Sequence, residues 1–116
     1  MRHSNKNKKF SRVTKVRKAL VNSLARSLVL HGKIRTTEPK AKAVRPLVEK
    51  LLTKAKLQTV AVRRTINPQF GAAATKILVD TLAKKYEDRK GGYLRVTKIK
   101  RRLSDGSKMA IIEFVK

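Results

Sequence analysis

The chain has 116 residues, with 31 lysines and arginines against seven acids, and its formal net charge of +24 far exceeds the magnitude of roughly 2–8 expected of a small soluble domain. It has no cysteine, which excludes disulfides, thiolate metal sites and cysteine nucleophiles, and no uninterrupted apolar run of the roughly 18 residues a membrane-spanning helix needs. The length suits one domain burying under ~70% of its unfolded surface, around an aliphatic core because only Phe10, Phe70, Tyr86, Tyr93 and Phe114 are aromatic.

The charge is unevenly placed. Glu38 is the first acid, and eleven basic residues precede it. A second acid-free window, Arg89 to Ser104, holds Arg89, Lys90, Arg95, Lys98, Lys100, Arg101 and Arg102. Charge this one-sided repels itself in a compact chain and calls for a polyanionic partner. A solvated face explains Lys50, Lys54, Lys84 and Lys85, which face or flank acids. It does not explain the two acid-free windows, since solubility surfaces mix both signs.

Residues 1–12, with Arg2, His3, Lys6, Lys8, Lys9 and Arg12, show no helical or strand period and one large apolar residue, Phe10. The expectation is a basic arm that is disordered alone and orders on nucleic acid, followed by a single domain over 13–116. The start is basic, but Asn22, Ser23, Arg26 and Ser27 interrupt the only candidate signal-peptide core, Ala19 to Leu30. An organellar transit peptide would share the basic, acid-free composition.

From Val13 to Leu30, Val13, Val16, Leu20, Leu24 and Leu28 recur at helical spacing. Lys15, Lys18, Asn22 and Arg26 follow the same step on the opposite face, and Arg17 falls inside the apolar arc. Gly32 is the expected C-terminal cap, with His31 beside the negative helix end. Lys33 to Thr36 reads as a short extended piece. Thr37 is the expected N-cap of a second helix, with Glu38 and Pro39 in its first turn. That helix would bury Ala41, Val44, Leu47, Val48, Leu51, Leu52 and Ala55, with Pro46 kinking it or splitting it in two.

Thr59 to Ile66, carrying Arg63 and Arg64, reads as a short helix broken by Asn67-Pro68. A third substantial helix over about 71–86 gathers Leu78, Val79, Leu82, Ala83 and Tyr86. Gly91-Gly92 ends it. Two β-like runs follow, Tyr93–Leu103 and Lys108–Val115, joined by the four-residue loop Ser104-Asp105-Gly106-Ser107. A change of apolar parity between Val96 and Ile99 predicts a bulge or a weak register. The fold class is α+β: three or four helices packed with a small sheet built on a C-terminal hairpin, plus the basic N-terminal extension.

Little here supports catalysis. The two histidines are His3 and His31, and among the seven acids only Glu87 and Asp88 are adjacent. Neighbours on a helix do not face one another, and a two-metal site needs several carboxylates around one point. Gly91-Gly92 lacks the Lys-Ser/Thr and helix of a phosphate-binding loop. These glycines either make a turn on which Tyr93 packs, or let backbone approach phosphates while Tyr93 stacks on a base or sugar. The two readings are compatible. No cofactor, metal or small-molecule substrate is implied.

Several segments together resemble the bacterial-type large-subunit ribosomal protein seventeen family. They are the opening Met1-Arg2-His3 with Lys9-Phe10-Ser11-Arg12, then Ile34-Arg35-Thr36-Thr37-Glu38-Pro39-Lys40-Ala41-Lys42 with Arg45 beyond, and Arg89-Lys90-Gly91-Gly92-Tyr93-Leu94-Arg95-Val96. The likeness covers nearly the whole chain. Ser11 departs from a usual Asn, Val16 from a common His and Glu38 from a common Leu, which bears on individual RNA contacts.

The resemblance implies a non-enzymatic structural protein of the large ribosomal subunit, cytoplasmic or in an organellar ribosome. It would lie near the polypeptide exit tunnel, among neighbouring large-subunit ribosomal proteins, bound to large-subunit rRNA. It would be neither membrane-bound nor a homo-oligomer. The rRNA contacts expected are the arm cations and His3; Lys15, Lys18, Asn22 and Arg26; Lys33, Arg35, Lys40, Lys42 and Arg45; Arg63 and Arg64; and Arg89 to Tyr93 with Arg95, Lys98, Lys100, Arg101 and Arg102. A DNA-binding architectural or regulatory protein would use the same charge, but it calls for a base-reading helix and usually a dimer seam. Neither is evident. A membrane-surface module would need bulky anchors opposite the charge, and the aliphatic stripes suit a core better.

Overall fold

A computed structural model describes residues 3, 4 and 6–116; the sequence expectations that fall on Met1, Arg2 and Asn5 lie outside the described residues. Helix α1 spans Thr14–His31, strand β1 Lys33–Thr37, and helix α2 Glu38–Ala55. Helix α3 covers Val60–Lys76 and continues through a wide π-helical turn, Ile77–Leu82, into the short α4, Ala83–Lys85. Strands β2, Leu94–Ile99, and β3, Met109–Phe114, close the chain. The three strands form an antiparallel sheet ordered β1-β3-β2. The expected α+β class is what forms.

Gly32 ends α1 in the left-handed region, φ 81°, and donates its N–H to Leu28. This lets the chain reverse directly into β1, whose register on β3 runs from Lys33↔Glu113 to Thr37↔Met109. The extended piece expected at 33–36 is thus a full edge strand, and the sheet has one strand more than the hairpin. Its inner face carries Ile34, Thr36, Leu94, Val96, Ala110 and Ile112. α2 supplies Ala41, Val44, Val48, Leu51, Leu52 and Ala55 to the same core, and Ile66, Phe70, Leu78, Val79 and Ala83 join from the α3–α4 side. Leu47, expected in the core, is half-buried.

Several expectations need correction. The apolar stripe of α1 is buried only at its end: Leu28 is enclosed, Leu20 and Leu24 are half-buried, and Val13 and Val16 are 70% and 50% exposed. The first turns of α1 run past the edge of the core, so periodicity there outlasts burial. α2 is not split at Pro46 but runs unbroken to Ala55; packed residues on both sides of the proline hold it. Thr37 takes the N-cap position with extended backbone, yet its side chain makes no capping bond.

The break expected at Asn67-Pro68 falls instead at Gly71, with φ 77° and ψ 167°. Pro68 removes one intrahelical donor, whereas Gly71 leaves helical space altogether and turns the chain, and Thr75 donates its hydroxyl to the Gly71 carbonyl at 2.8 Å. Within the π turn, Gln58 donates its amide to the Val79 carbonyl at 3.3 Å. The pairing of β2 with β3 is continuous from Leu94↔Phe114 to Ile99↔Met109, so no bulge exists. The parity change has another cause: Lys98 takes a core-side position at the sheet's end, where it meets Glu38 at 3.6 Å. Pairing stops at Ile99 and Met109, which makes the connection 100–108 longer than the four residues expected.

The φ and ψ of Gly71 are essentially reserved for glycine, and a side chain there costs about 1–3 kcal/mol of strain. A Cβ at Gly71 would meet only the Arg26 guanidinium, at 3.8 Å, so the cost is one of backbone. Gly71→Ala is expected to lower thermal stability by that amount. Gly91→Ala, at an exposed position with open space around it, is expected to leave the melting temperature nearly unchanged. Thermal unfolding of the two variants checks this, and equal stability would show that Gly71 is not a required hinge.

Candidate nucleic-acid interface

Because side chains alternate along a strand, the outer face of the sheet is fixed by register. Lys33 and Arg35 on β1 and Arg95 on β2 all project there, on either side of β3, and all are exposed. Lys33 and Arg95 both align with Glu113 on β3. Two segments sixty residues apart in sequence, 33–35 and 95, therefore meet within roughly 10 Å, two strand spacings. Lys100 and Arg101, exposed in the connection that follows β2, lie beyond the paired register.

That connection is an ordered tip. The Arg102 N–H donates to the Ser107 carbonyl at 2.9 Å, the Gly106 N–H donates to the Arg102 carbonyl at 2.8 Å, and the Asp105 carboxylate accepts from the Ser107 N–H at 3.0 Å. The Ser107 N–H, seconded by the Arg102 charge, holds the Asp105 carboxyl below the usual carboxylate range. Leu103 is fully exposed at the apex, with a relative exposure of 103%.

Some candidate cations are partly spent inside the fold. Lys42 pairs with Glu38 at 2.7 Å, Arg45 with Glu49 at 3.5 Å, and Arg102 with Asp105 at 3.2 Å. Arg63 pairs with Asp80 and holds that carboxyl below its ordinary value. Lys98 leans on the other side of Glu38. Lys40 is half-buried in the first turn of α2, and Arg64 lies exposed beside Asn67 and Lys76, near the Gly71 bend.

On α1, Lys15, Lys18 and Arg26 are exposed and Asn22 is half-buried; in the arm, His3, Lys6, Lys8, Lys9 and Arg12 are exposed, and Arg2 lies outside the described residues. The arm folds against α1 through a turn at Lys9–Arg12. Arg12 donates to the Phe10 carbonyl at 2.7 Å, and Arg17 donates to the Arg12 carbonyl at 3.3 Å and to the Thr14 hydroxyl at 3.4 Å. Arg17, a cation misplaced in the apolar arc, is therefore the clasp between arm and helix. That misplacement was the signal for it. Gln69 and Lys108, which border the same region, carried no such signal.

Of the two roles open to Tyr93, packing is the one the structure shows. Its ring is 1% exposed and lies 5.6 Å from that of Tyr86, with the Lys56 ammonium 4.5 Å from the ring centroid. Its hydroxyl lies 3.4 Å from that of Thr53. Burial works to raise the phenol pKa, but the nearby Lys56 and Thr53 outweigh it and the net shift is downward. The ring is unavailable for base stacking here. Arg89, Lys90, Gly91 and Gly92 remain exposed in front of it, with Arg89 donating to the Gly92 carbonyl at 3.2 Å.

No group of three or more metal-ligating side chains occurs among the described residues, and no described helix is long and apolar enough to cross a membrane. The profile of the Ribosomal protein L17 family matches residues 20–115. Among curated proteins, the chain is 50% identical over 119 aligned residues to the large ribosomal subunit protein bL17 of Persephonella marina, covering 99% of this chain and 95% of that one. The bL17 protein of Nautilia profundicola is 42% identical, over 99% and 98% of the two chains, and that of Mesorhizobium japonicum 46%, over 99% and 81%.

Glu38 is the one carboxylate at the junction of sheet, α2 and arm, and the hydrogen bond from Lys42, with the charge of Lys98, holds it below its ordinary value of 4.5. A depressed carboxyl contributes stability above its unfolded pKa and loses it as pH falls through the folded one. Glu38→Gln is expected to lower the melting temperature near neutral pH, with the gap to the unsubstituted protein closing as pH falls below 4.5. A gap independent of pH in thermal scans would show that the ion pairs contribute nothing.

Proposed function

We propose, from the premise that the chain belongs to the Ribosomal protein L17 family, that it binds large-subunit rRNA through the outer face of its sheet, its hairpin connection and its N-terminal arm. Members of this family are structural constituents of the large ribosomal subunit, not enzymes, and this chain has that role in the cytoplasm. A position near the polypeptide exit tunnel, among neighbouring large-subunit proteins, rests on the family resemblance alone.

One observation carries the rRNA reading. The sheet gathers Lys33, Arg35 and Arg95 from separate acid-free segments onto one exposed face, with Lys100 and Arg101 exposed in the connection that follows. Cations displayed this way release condensed counterions when they meet phosphates. Four of the five aromatic rings lie in or against the core, so recognition works through backbone and shape more than base stacking.

Residues 1–12 act as the arm and 13–116 as the binding domain. Among the described residues of the arm there is no helix or strand before Thr14, and cations dominate its sequence. It is disordered without RNA and settles against α1 once phosphates relieve the repulsion, which couples folding to assembly. A DNA-binding role is not favoured: the exposed cations sit on strands, a loop and an arm as much as on any helix face.

Sedimentation of a lysate through sucrose with magnesium, repeated after a moderate salt wash, is expected to keep the chain with the large subunit; a free or DNA-associated chain would overturn the reading. At the residue level, Arg35→Ala and Arg95→Ala are each expected to reduce the slope of log affinity against log salt for rRNA by roughly 0.7–0.9. Arg63→Ala, whose charge Asp80 already engages, is expected to leave that slope nearly unaltered. Equal slopes for all three variants would remove the outer sheet face from the interface.

A further inference from the structure

A concavity of about 930 Å³ lies between the arm, α1 and the first half of α2. That falls within the roughly 300–1,000 Å³ typical of small-ligand sites. Its lining sorts into three kinds of group. Phe10, Val21, Pro46 and Leu47 provide an apolar floor. Asn7, Asn22 and Gln69 bring amides, each able to donate and accept. Lys6, Lys8, Arg17, Lys18 and Lys108 border it with positive charge, and its single carboxylate, Glu38, is engaged by Lys42 and Lys98.

Two details single this cleft out. Phe10 is the one aromatic residue outside the core and its packed margin, and it is half-buried at the cleft's edge in an arm whose other described residues are exposed. Pro46 has no N–H, so the carbonyl of Lys42, one turn earlier and also lining the cleft, loses its usual helical donor. An apolar floor, three amides, an under-served carbonyl and a cationic rim match an unstacked base attached to a sugar-phosphate. A fully apolar occupant would strand the amides, and a bare anion would leave the floor unused.

We propose that this cleft holds one unpaired nucleotide of the bound RNA. Its base lies on Phe10, Val21, Pro46 and Leu47, its polar edge meets the Asn7, Asn22 and Gln69 amides, and its flanking phosphates sit on the lysines of the arm and α1. This rests on the rRNA-binding reading above and adds a base-contacting site to what is otherwise backbone recognition. It also assigns a purpose to the arm's turn: closing over α1 completes the pocket.

The test is ultraviolet crosslinking of the full chain bound to unmodified large-subunit rRNA, with the crosslinked peptides identified by mass spectrometry. The expected result is one nucleotide joined to peptides from both the arm, around Phe10, and α1, around Asn22. A chain that binds but crosslinks only through the hairpin and outer sheet face overturns the cleft while leaving the rRNA reading intact. A chain that does not bind overturns both. In assembled large subunits, crosslinks from this cleft to a neighbouring protein, with none to RNA, would also overturn it.

Two variants sharpen the outcome. Phe10→Ala is expected to weaken binding about ten-fold, in the range of one lost base stack, without changing the salt slope, because no phosphate contact is removed. Gln69→Leu alters an exposed side chain on the opposite wall, leaves the fold intact, and is expected to weaken binding with the same unchanged slope. Full affinity in both variants sinks the proposal.

Discussion

An excess of 24 positive charges must be held in a body whose radius of gyration is 15.0 Å, and the arrangement of the molecule answers to that repulsion. At physiological salt, screening acts over about 8 Å, so charges on opposite sides scarcely feel each other while those within one patch do. The scarce acids are placed accordingly. Glu38 stands where sheet, α2 and arm converge, Glu49 along α2, Asp80 in the π turn facing α3, and Asp105 inside the hairpin tip. Glu38 and Asp80 relieve repulsion between elements, Glu49 and Asp105 within one, and the arm has no acid at all. Elsewhere the proposed interface keeps a large excess of cations.

Cohesion has to come from a small aliphatic core, and α2 is central to it, contributing to the sheet side and the helical side at once. The aromatic residues reinforce its far end. Tyr86 packs against Tyr93 and Phe114, donates its hydroxyl to the Val115 carbonyl, and so ties the end of the helical layer to both outer ends of the hairpin. Lys56 adds a cation over the Tyr93 ring and a bond to the Arg89 carbonyl. This pins the Arg89–Gly92 backbone at the surface. Tyr93, for which the sequence left both packing and stacking open, packs, and in doing so supports the exposed loop in front of it.

Much of the fold was legible in the sequence because local signals coincided with tertiary ones. Gly32 after a helical stripe, Thr37-Glu38-Pro39 before the next, and Gly91-Gly92 before two apolar runs all mark observed boundaries. The failures have a common form: a local signal was overruled by packing the sequence does not display. Pro46 read as a kink or a split and Asn67-Pro68 as a break, yet the core on either side carries the helix through each, and the chain bends where Gly71 permits a conformation other residues avoid. Lys98 breaks the parity of its strand because Glu38, sixty residues away, meets it at the sheet's end. Val13 and Val16 keep a helical rhythm where no core remains. The basic windows of the candidate interface were equally plain as charge, but their union on one face depends on β3 lying between β1 and β2. No local pattern encodes that order.

The strand order also explains how a chain with few base-reading groups can still be selective. A flat cationic sheet face gives affinity that any phosphate backbone can claim, and that affinity weakens steeply with salt. Selectivity then requires shape that a wrong RNA cannot satisfy simultaneously at several points. On the proposed reading this molecule offers three such points: the sheet face, the hydrogen-bonded hairpin tip with Leu103 at its apex, and the cleft between the arm and α1. The first two are preformed, because register and turn bonds fix them before any RNA arrives. The third is clasped to the body through Arg17. On the proposed reading, an RNA that engages the sheet but cannot supply phosphates along the arm leaves this third point unmade, so the arm is where correct and incorrect partners would differ most.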